Sequence, residues 1–176
     1  MTSALWQSQL RDGLAEMGLS LGENQQQQLL AFLGLLNKWN RAYNLTAVRD
    51  ERQMVSRQLL DSLSILPWVT TDHLLDVGAG GGLPGIPLAI ALPEKRFTLL
   101  DSNGKKTRFL NQCVLELGLV NVEVIHGRAE DCSPEEPFAQ ISSRAFTALE
   151  NLVNWCGGLL ANEGEFLAMK GQFPDD

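Results

Sequence analysis

The stretch His73-Leu-Leu-Asp-Val-Gly-Ala-Gly-Gly-Gly-Leu-Pro-Gly-Ile-Pro-Leu-Ala-Ile-Ala-Leu92 decides the fold. A short apolar run meets a glycine cluster, and an apolar helical pattern follows, so the stretch reads as strand, tight turn and helix. Gly78, Gly80, Gly81 and Gly82 can take positive φ. Having no Cβ, they let a ligand lie against the backbone, while the helix behind offers free N–H groups. A nucleotide-like ligand is expected there.

From His73 onward, strand-like and helix-like stretches alternate, which is the pattern of a parallel α/β sheet. The expected strands are His73–Val77, Arg96–Leu100, Val122–Ile125, Phe138–Ser143 and Glu165–Met169. The expected helices between them are Leu83–Leu92, Lys105–Leu117, with Gly118 as its stop, and Ala148–Leu160. Ligands of such sheets bind outside the carboxyl ends of the strands.

The first seventy residues read as helical. Trp6, Leu10, Leu14 and Met17 recur at helical spacing before Gly18, and Ser20-Leu-Gly-Glu23 has the spacing of a capping box. A second helix to about Trp39 carries Leu29, Phe32, Leu33 and Leu36 on one face and the polar run Gln25–Gln28 on its outside. Asn40–Thr46, with two asparagines around Tyr43, reads as a loop. Asp50 then caps a third helix through Leu63 that Pro67 ends. The chain is thus divided into an N-terminal helical extension, residues 1–70, packed on an α/β domain, residues 71–176.

Composition narrows the setting. The 176 residues are 44% hydrophobic and 20% charged, which suits a folded domain with a sizeable core. Cys113, Cys132 and Cys156 lie far apart without metal-ligand spacing, so no metal site and no disulfide framework is expected, and a cytoplasmic location fits. The longest apolar run, Leu29–Leu36, is far too short to span a membrane. The net charge is −7, yet Lys38, Arg41, Arg49, Arg52 and Arg57 gather in one segment and Lys105, Lys106 and Arg108 in another. A local basic face can bind nucleic acid on an acidic protein.

Two ligand classes compete for the glycine turn. Gly80-Gly-Gly-Leu-Pro-Gly85 satisfies the dinucleotide fingerprint G-x-G-x-x-G, a pattern that glycine-rich stretches meet easily. The other register is Asp76-Val-Gly-Ala-Gly80, with Asp101 ending the next strand as an acceptor for ribose hydroxyls. Asp76 beside the turn would repel a pyrophosphate, and Pro84 and Pro87 remove amides that a phosphate would use. S-adenosylmethionine carries a sulfonium and an ammonium and no phosphate, so these residues favour it over NAD.

The blocks Lys38-Trp-Asn-Arg-Ala-Tyr-Asn-Leu-Thr46, Leu60-Asp-Ser62, Asp76 to Pro87, Leu100-Asp-Ser102 with Lys105-Lys106, Arg128-Ala-Glu130, Ser143-Arg-Ala-Phe146 and Lys170-Gly171 occur in this order. Together they resemble the bacterial small-subunit (16S) ribosomal RNA guanine-N7 methyltransferases, once called glucose-inhibited division protein B. The resemblance implies a Rossmann-like class I S-adenosylmethionine-dependent methyltransferase sheet with helices on both faces. It also implies 16S ribosomal RNA or the small ribosomal subunit as partner, and a monomer in the cytoplasm. Gly78, Gly80, Leu83, Asp101, Ala129, Glu130 and Arg144 match the family's cofactor positions. Asn44, Arg52, Arg57, Arg144 and Lys170 are candidates for the RNA and the guanine pocket, with no acid or base catalyst assigned.

Two departures stand out. Gln58 replaces the histidine that the family usually has before its Leu-Asp-Ser block. The family continues past its fifth strand into a helix and two more strands, whereas this sequence ends at Phe173-Pro-Asp-Asp176, so a C-terminal truncation of the sheet is expected. A NAD-dependent oxidoreductase and a non-catalytic RNA-binding assembly factor are the alternatives.

Overall fold

The computed structural model describes residues 2–132, 134, 136–144, 154 and 156–169. Among the described residues five parallel strands make one sheet: β1 (His73–Val77), β2 (Arg96–Asp101), β3 (Val122–His126), β4 (Phe138–Arg144) and β5 (Leu160–Met169). Their spatial order is β3-β2-β1-β4-β5. The chain winds outward from β1 to β3 and then returns to the other side of β1. The crevice at the carboxyl ends of β1 and β4, where the winding reverses, is where ligands of open α/β sheets sit.

All five expected strands are present. β5 starts at Leu160 and not at Glu165, because Leu160 pairs with Phe138 and a bulge then resets the register to Gln140 opposite Glu165. Glu163 takes a left-handed φ of 64° there, so Asn162-Glu-Gly164 has turn chemistry inside a strand.

The helices among the described residues are α1 (Thr2–Met17), α2 (Glu23–Tyr43), α3 (51–63), α4 (Gly85–Ala91) and α5 (Gly104–Leu117). α1 stops at Gly18, whose φ is 71°. The Ser20–Glu23 capping box is not formed. Gly22 is the N-cap of α2, and its N–H donates to Gln25 Oε1 at 2.8 Å. The glutamine run, which reads as a bare polar face, closes other helices: Gln25 Nε2 donates to the Ile90 and Ala91 carbonyls at 3.1 and 3.2 Å, and Gln28 Nε2 to the Leu117 carbonyl at 3.0 Å. Terminal carbonyls of α4 and α5 that lack intrahelical donors are thereby satisfied from α2.

α2 continues through Asn40 to Tyr43, where a loop was expected. Asn40 turns inward and its Oδ1 accepts the Thr46 N–H at 2.9 Å, so its polar group holds the following loop and does not break the helix. Asp50 caps α3 as expected, accepting the Arg52 N–H at 3.0 Å. α3 is not uniform: it is α-helical over Glu51–Met54 and Asp61–Leu63, with a π-helical segment, Val55–Leu60, between. Most of the expected helix Ala148–Leu160 lies outside the described residues. At its end the chain forms a 3₁₀ turn, Gly157–Leu159, and enters β5 at Leu160.

One core joins the helical extension to the sheet. Leu10 and Leu14 of α1, Leu29, Phe32, Leu33 and Leu36 of α2, and Met54, Val55, Leu59 and Leu63 of α3 pack in one cluster with Ile86 and Ile90 of α4, Leu99 of β2, and Phe109 and Leu110 of α5. The opposite face of the sheet, Leu75, Val77, Leu100 and Ile141, packs with Cys156 and Leu159, and the 3₁₀ turn Ala129–Asp131 adds Ala129. Among the described residues no helix is long and apolar enough to cross a membrane.

Phe109 stands between the two parts, with its ring centroid 6.4 Å from that of Phe32 and 5.7 Å from that of Trp39. Phe109→Ala is expected to cost about 3–5 kcal/mol in urea unfolding. Its circular-dichroism and tryptophan-fluorescence transitions should coincide, whereas separated transitions would mean that the extension unfolds on its own.

Candidate active site

The turn between β1 and α4 needs glycine: φ is 63° at Gly78, 43° at Gly80 and 81° at Gly82. Gly81 is needed for another reason. A Cβ there would meet Leu36 Cδ1 and the Leu45 carbonyl at 3.3 Å, because α2 and the loop after it lie directly against the turn.

Two carboxylates hold this turn. Asp101, ending β2, accepts the Gly80 N–H on Oδ2 at 2.9 Å and the Asn103 N–H on Oδ1 at 2.8 Å. Asp76 is fully buried; its Oδ2 accepts the Gly85 N–H at 3.1 Å and its Oδ1 accepts the Ser142 hydroxyl at 3.0 Å. The sequence places Asp76 beside the ligand, but the structure places it beneath the turn, between the start of α4 and β4. Burial pushes its carboxyl up to about 8, against the pull of the Ser142 and Gly85 hydrogen bonds.

Three further amides of this stretch are also used inside the protein. Ala79 N–H donates to the Leu100 carbonyl at 3.1 Å, Gly82 N–H to Ala79 at 2.5 Å and Ile86 N–H to Gly82 at 2.8 Å. With Gly80 and Gly85, that makes five amides already engaged, and Pro84 and Pro87 have none.

Beside the turn lies a cavity of about 570 Å³. Gly78, Asp101, Ala129 and Glu130 line it, which brings together four of the expected cofactor positions. Gly80 stands behind Asp101 as its hydrogen-bond donor. Leu83 is buried in the shared core and is not part of this lining. Lys106, from the second basic cluster, lines the cavity, and Asn103 and Cys156 line it without having been expected. Asn103 had a readable signal: its side chain caps α5, accepting the Lys105 and Lys106 amides at 2.9 and 3.3 Å.

Arg144 ends β4, two residues beyond Ser142, which lies opposite Asp76; it stands on the same edge of the sheet as Gly78. Its Nη2 donates to the Arg57 carbonyl and, at 3.2 Å, to the Asp61 carboxylate. Burial lowers its pKa, and Asp61 opposes that shift. Asn44 is the left-handed C-cap of α2, and its Oδ1 accepts from Arg49 Nη2 at 2.7 Å. It precedes Leu45, whose carbonyl lies against Gly81. Arg57 reaches Gln53 Oε1 at 3.3 Å, and Arg52 is gripped by Asp50 through Nε and Nη2, both at 3.2 Å. Gln58 is buried, donating to Thr46 Oγ1 at 3.0 Å. Lys170 lies outside the described residues. Among the described residues no group of three His, Cys, Asp or Glu side chains is placed to hold a metal ion.

The chain is similar to known proteins over most of its length. The family model described as GidB, rRNA small subunit methyltransferase G, matches residues 25–176. A protein of Marinobacter nauticus named ribosomal RNA small subunit methyltransferase G is 86% identical over all of this chain and 82% of its own. Among solved structures, a SAM-dependent methyltransferase from Thiobacillus denitrificans in complex with S-adenosyl-L-homocysteine has a TM-score of 0.51 at 15% identity, over 77% of this chain and 53% of its own. Coclaurine N-methyltransferase bound to N-methylheliamine and SAH has a TM-score of 0.55 at 17% identity, over 92% and 56%. These two likenesses establish a shared fold, and this chain spans little more than half the length of either structure.

The raised Asp76 carboxyl has a signed consequence. Between about pH 4 and pH 8 the folded chain holds a proton that the unfolded chain has lost, so stability falls as pH rises, by up to about 1.4 kcal/mol per pH unit. Asp76→Asn keeps an acceptor for the Gly85 N–H, reverses the Ser142 bond so that Nδ2 donates to the hydroxyl oxygen, and removes that slope. Its urea midpoint should exceed that of the wild type at about pH 7.5 and approach it near pH 4.5; parallel midpoints across the range would contradict the assignment.

Proposed function

The chain belongs to the GidB family, rRNA small subunit methyltransferase G, and from this premise we propose that it transfers a methyl group from S-adenosylmethionine to N7 of a guanine in 16S ribosomal RNA. It does so as a monomer in the cytoplasm. The division into a helical extension, 1–70, that carries RNA-facing residues and an α/β domain, 71–176, that holds the donor is part of the proposal.

The observation that carries the choice of cofactor is the internal use of five amides in and beside the glycine turn. A pyrophosphate needs bare backbone N–H groups at such a turn, whereas a donor without phosphate needs only closeness to the backbone and acceptors for its hydroxyl and amine donors. The residues present fit that second demand. Asp101 would take the ribose hydroxyls, its two oxygens held in place by the Gly80 and Asn103 amides. Ala129 and Glu130 would border the adenine, Gly78 would allow close approach, and Arg144 and Lys106 would be the partners for the carboxylate of the donor's methionine end. Leu83, buried behind the turn, would support the donor's loop from below.

The bound donor supplies an electrophilic methyl group on a sulfonium. Guanine N7 offers a lone pair and bears no proton, so the protein has no proton to remove and its work is orientation and electrostatics. Holding acceptor and methyl group in line can lower the barrier by several kcal/mol, roughly 7–11 at the upper end. In an RNA helix the groove that shows N7 is deep and narrow, so a looped or extruded guanine is the expected substrate form. Asn44, next to Leu45 against Gly81, and Arg144, level with Gly78, are the candidates for holding such a base, with Lys170 added by resemblance. Arg57 is the stronger candidate for a phosphate contact, since Arg52 is already paired with Asp50.

Titration calorimetry tests the cofactor: S-adenosylhomocysteine is expected to bind and NAD to give no heat, and the reverse would remove the methyltransferase reading. For the RNA side, Arg57→Gln should weaken binding to small-subunit RNA and flatten its salt dependence by roughly 0.7–0.9 in the log–log slope, with homocysteine-product affinity unchanged. Equal loss of both affinities would assign Arg57 to folding.

A further inference from the structure

The π-helical part of α3 has a local consequence. In an α-helix the Asp61 N–H would close on the Arg57 carbonyl four residues back. Here it donates to the Ser56 carbonyl, five residues back, and the Arg57 carbonyl accepts Arg144 Nη2 from the far side of the sheet edge. The next carbonyl, Gln58, accepts the Ser62 hydroxyl at 2.6 Å. Two main-chain acceptors in the widened stretch are therefore engaged by side chains, and π segments of a single turn commonly sit at functional positions.

The same Arg144 nitrogen also meets Asp61 Oδ2 at 3.2 Å, with the Arg144 side chain 23% exposed and that of Asp61 46%. One guanidinium nitrogen is thus shared between a carbonyl and a carboxylate that lie 87 and 83 residues away in sequence. A free arginine head samples many rotamers, and two fixed acceptors on a helix packed into the shared core leave it few. The strand register puts the Arg144 backbone level with Gly78, which lines the cavity.

We propose that Asp61 is a positioning residue for Arg144: together with the Arg57 carbonyl it fixes the guanidinium at the ligand end of β4. This rests on the function proposed above for Arg144. It also gives the helix that carries Arg57 a physical link to the site, because movement of α3 on RNA binding would move both acceptors of Arg144. A simple staple between α3 and β4 would show itself as lost stability. A positioning residue shows itself as a lost rate or affinity that depends on Arg144.

The test is a double-mutant cycle of Asp61→Asn and Arg144→Lys in the full chain, with Asp61→Glu as the conservative control. Single-turnover methylation of small-subunit RNA is read at saturating RNA and donor, S-adenosylhomocysteine affinity by calorimetry, and Tm by circular dichroism. Asp61→Asn is expected to slow methylation roughly tenfold in the wild-type background and less than about twofold beside Arg144→Lys, with Tm nearly constant and Asp61→Glu restoring most of the rate. An equal effect in both backgrounds, no effect in the wild type, or a loss that follows Tm would overturn the assignment. If the wild type transfers no methyl group, the proposed function fails by itself. The cycle is then read in product affinity, where coupling of about threefold or more supports the positioning role and additivity overturns it.

Discussion

The rest of the structure depends on how the turn after β1 is held. Three left-handed glycines would leave the backbone many conformations, and two carboxylates reduce them to one: Asp101 takes the Gly80 amide and Asp76 takes the Gly85 amide. Asp76 ties the turn to β4 through Ser142, and Asp101 ties it to the start of α5 through Asn103. The sheet register, the cavity wall and the start of α4 are fixed by the same few hydrogen bonds. The cost is a buried acid, which the protein tolerates by holding a proton on Asp76 through the neutral range.

That arrangement also explains why the N-terminal helices belong to the site. A Cβ at Gly81 would press on Leu36 and Leu45 of the extension at 3.3 Å, and one at Gly82 would meet Ile86 at 2.8 Å and Phe32 of the extension at 3.3 Å. Gln25 and Gln28 fasten α2 to the ends of α4 and α5. Asn44 and α3, which are offered here as the RNA side, are therefore built on elements that touch the glycine turn directly. In such a shared core, displacement on one side is transmitted to the other without any moving part between them.

Much of this was legible in the sequence, for local reasons. The β1–turn–α4 unit announces itself because hydrophobic period, glycine positions and an acid at the strand end coincide within twenty residues, and the same local signals gave β2 with Asp101, and α5 with its Gly118 stop. What escaped depended on distant partners. The glutamine run looks like a solvated face until the ends of α4 and α5 arrive beside it. Asn40 looks like a helix breaker until Thr46 folds back onto its side chain. Asp76 was read as a charge beside the ligand, whereas it lies beneath the turn and occupies the Gly85 amide from below. The π segment had no signal in propensity, because one of its carbonyls is taken by the distant Arg144 and another by the Ser62 hydroxyl.

The account stands or falls on where a methyl group ends up. Mapping 7-methylguanine across 16S ribosomal RNA, from cells that lack this gene and from the same cells with it restored, tests that most directly. One guanine should lose its N7 methyl group without the gene and regain it on restoration. An unchanged pattern of N7 methylation would contradict the assignment of this chain as an rRNA guanine methyltransferase.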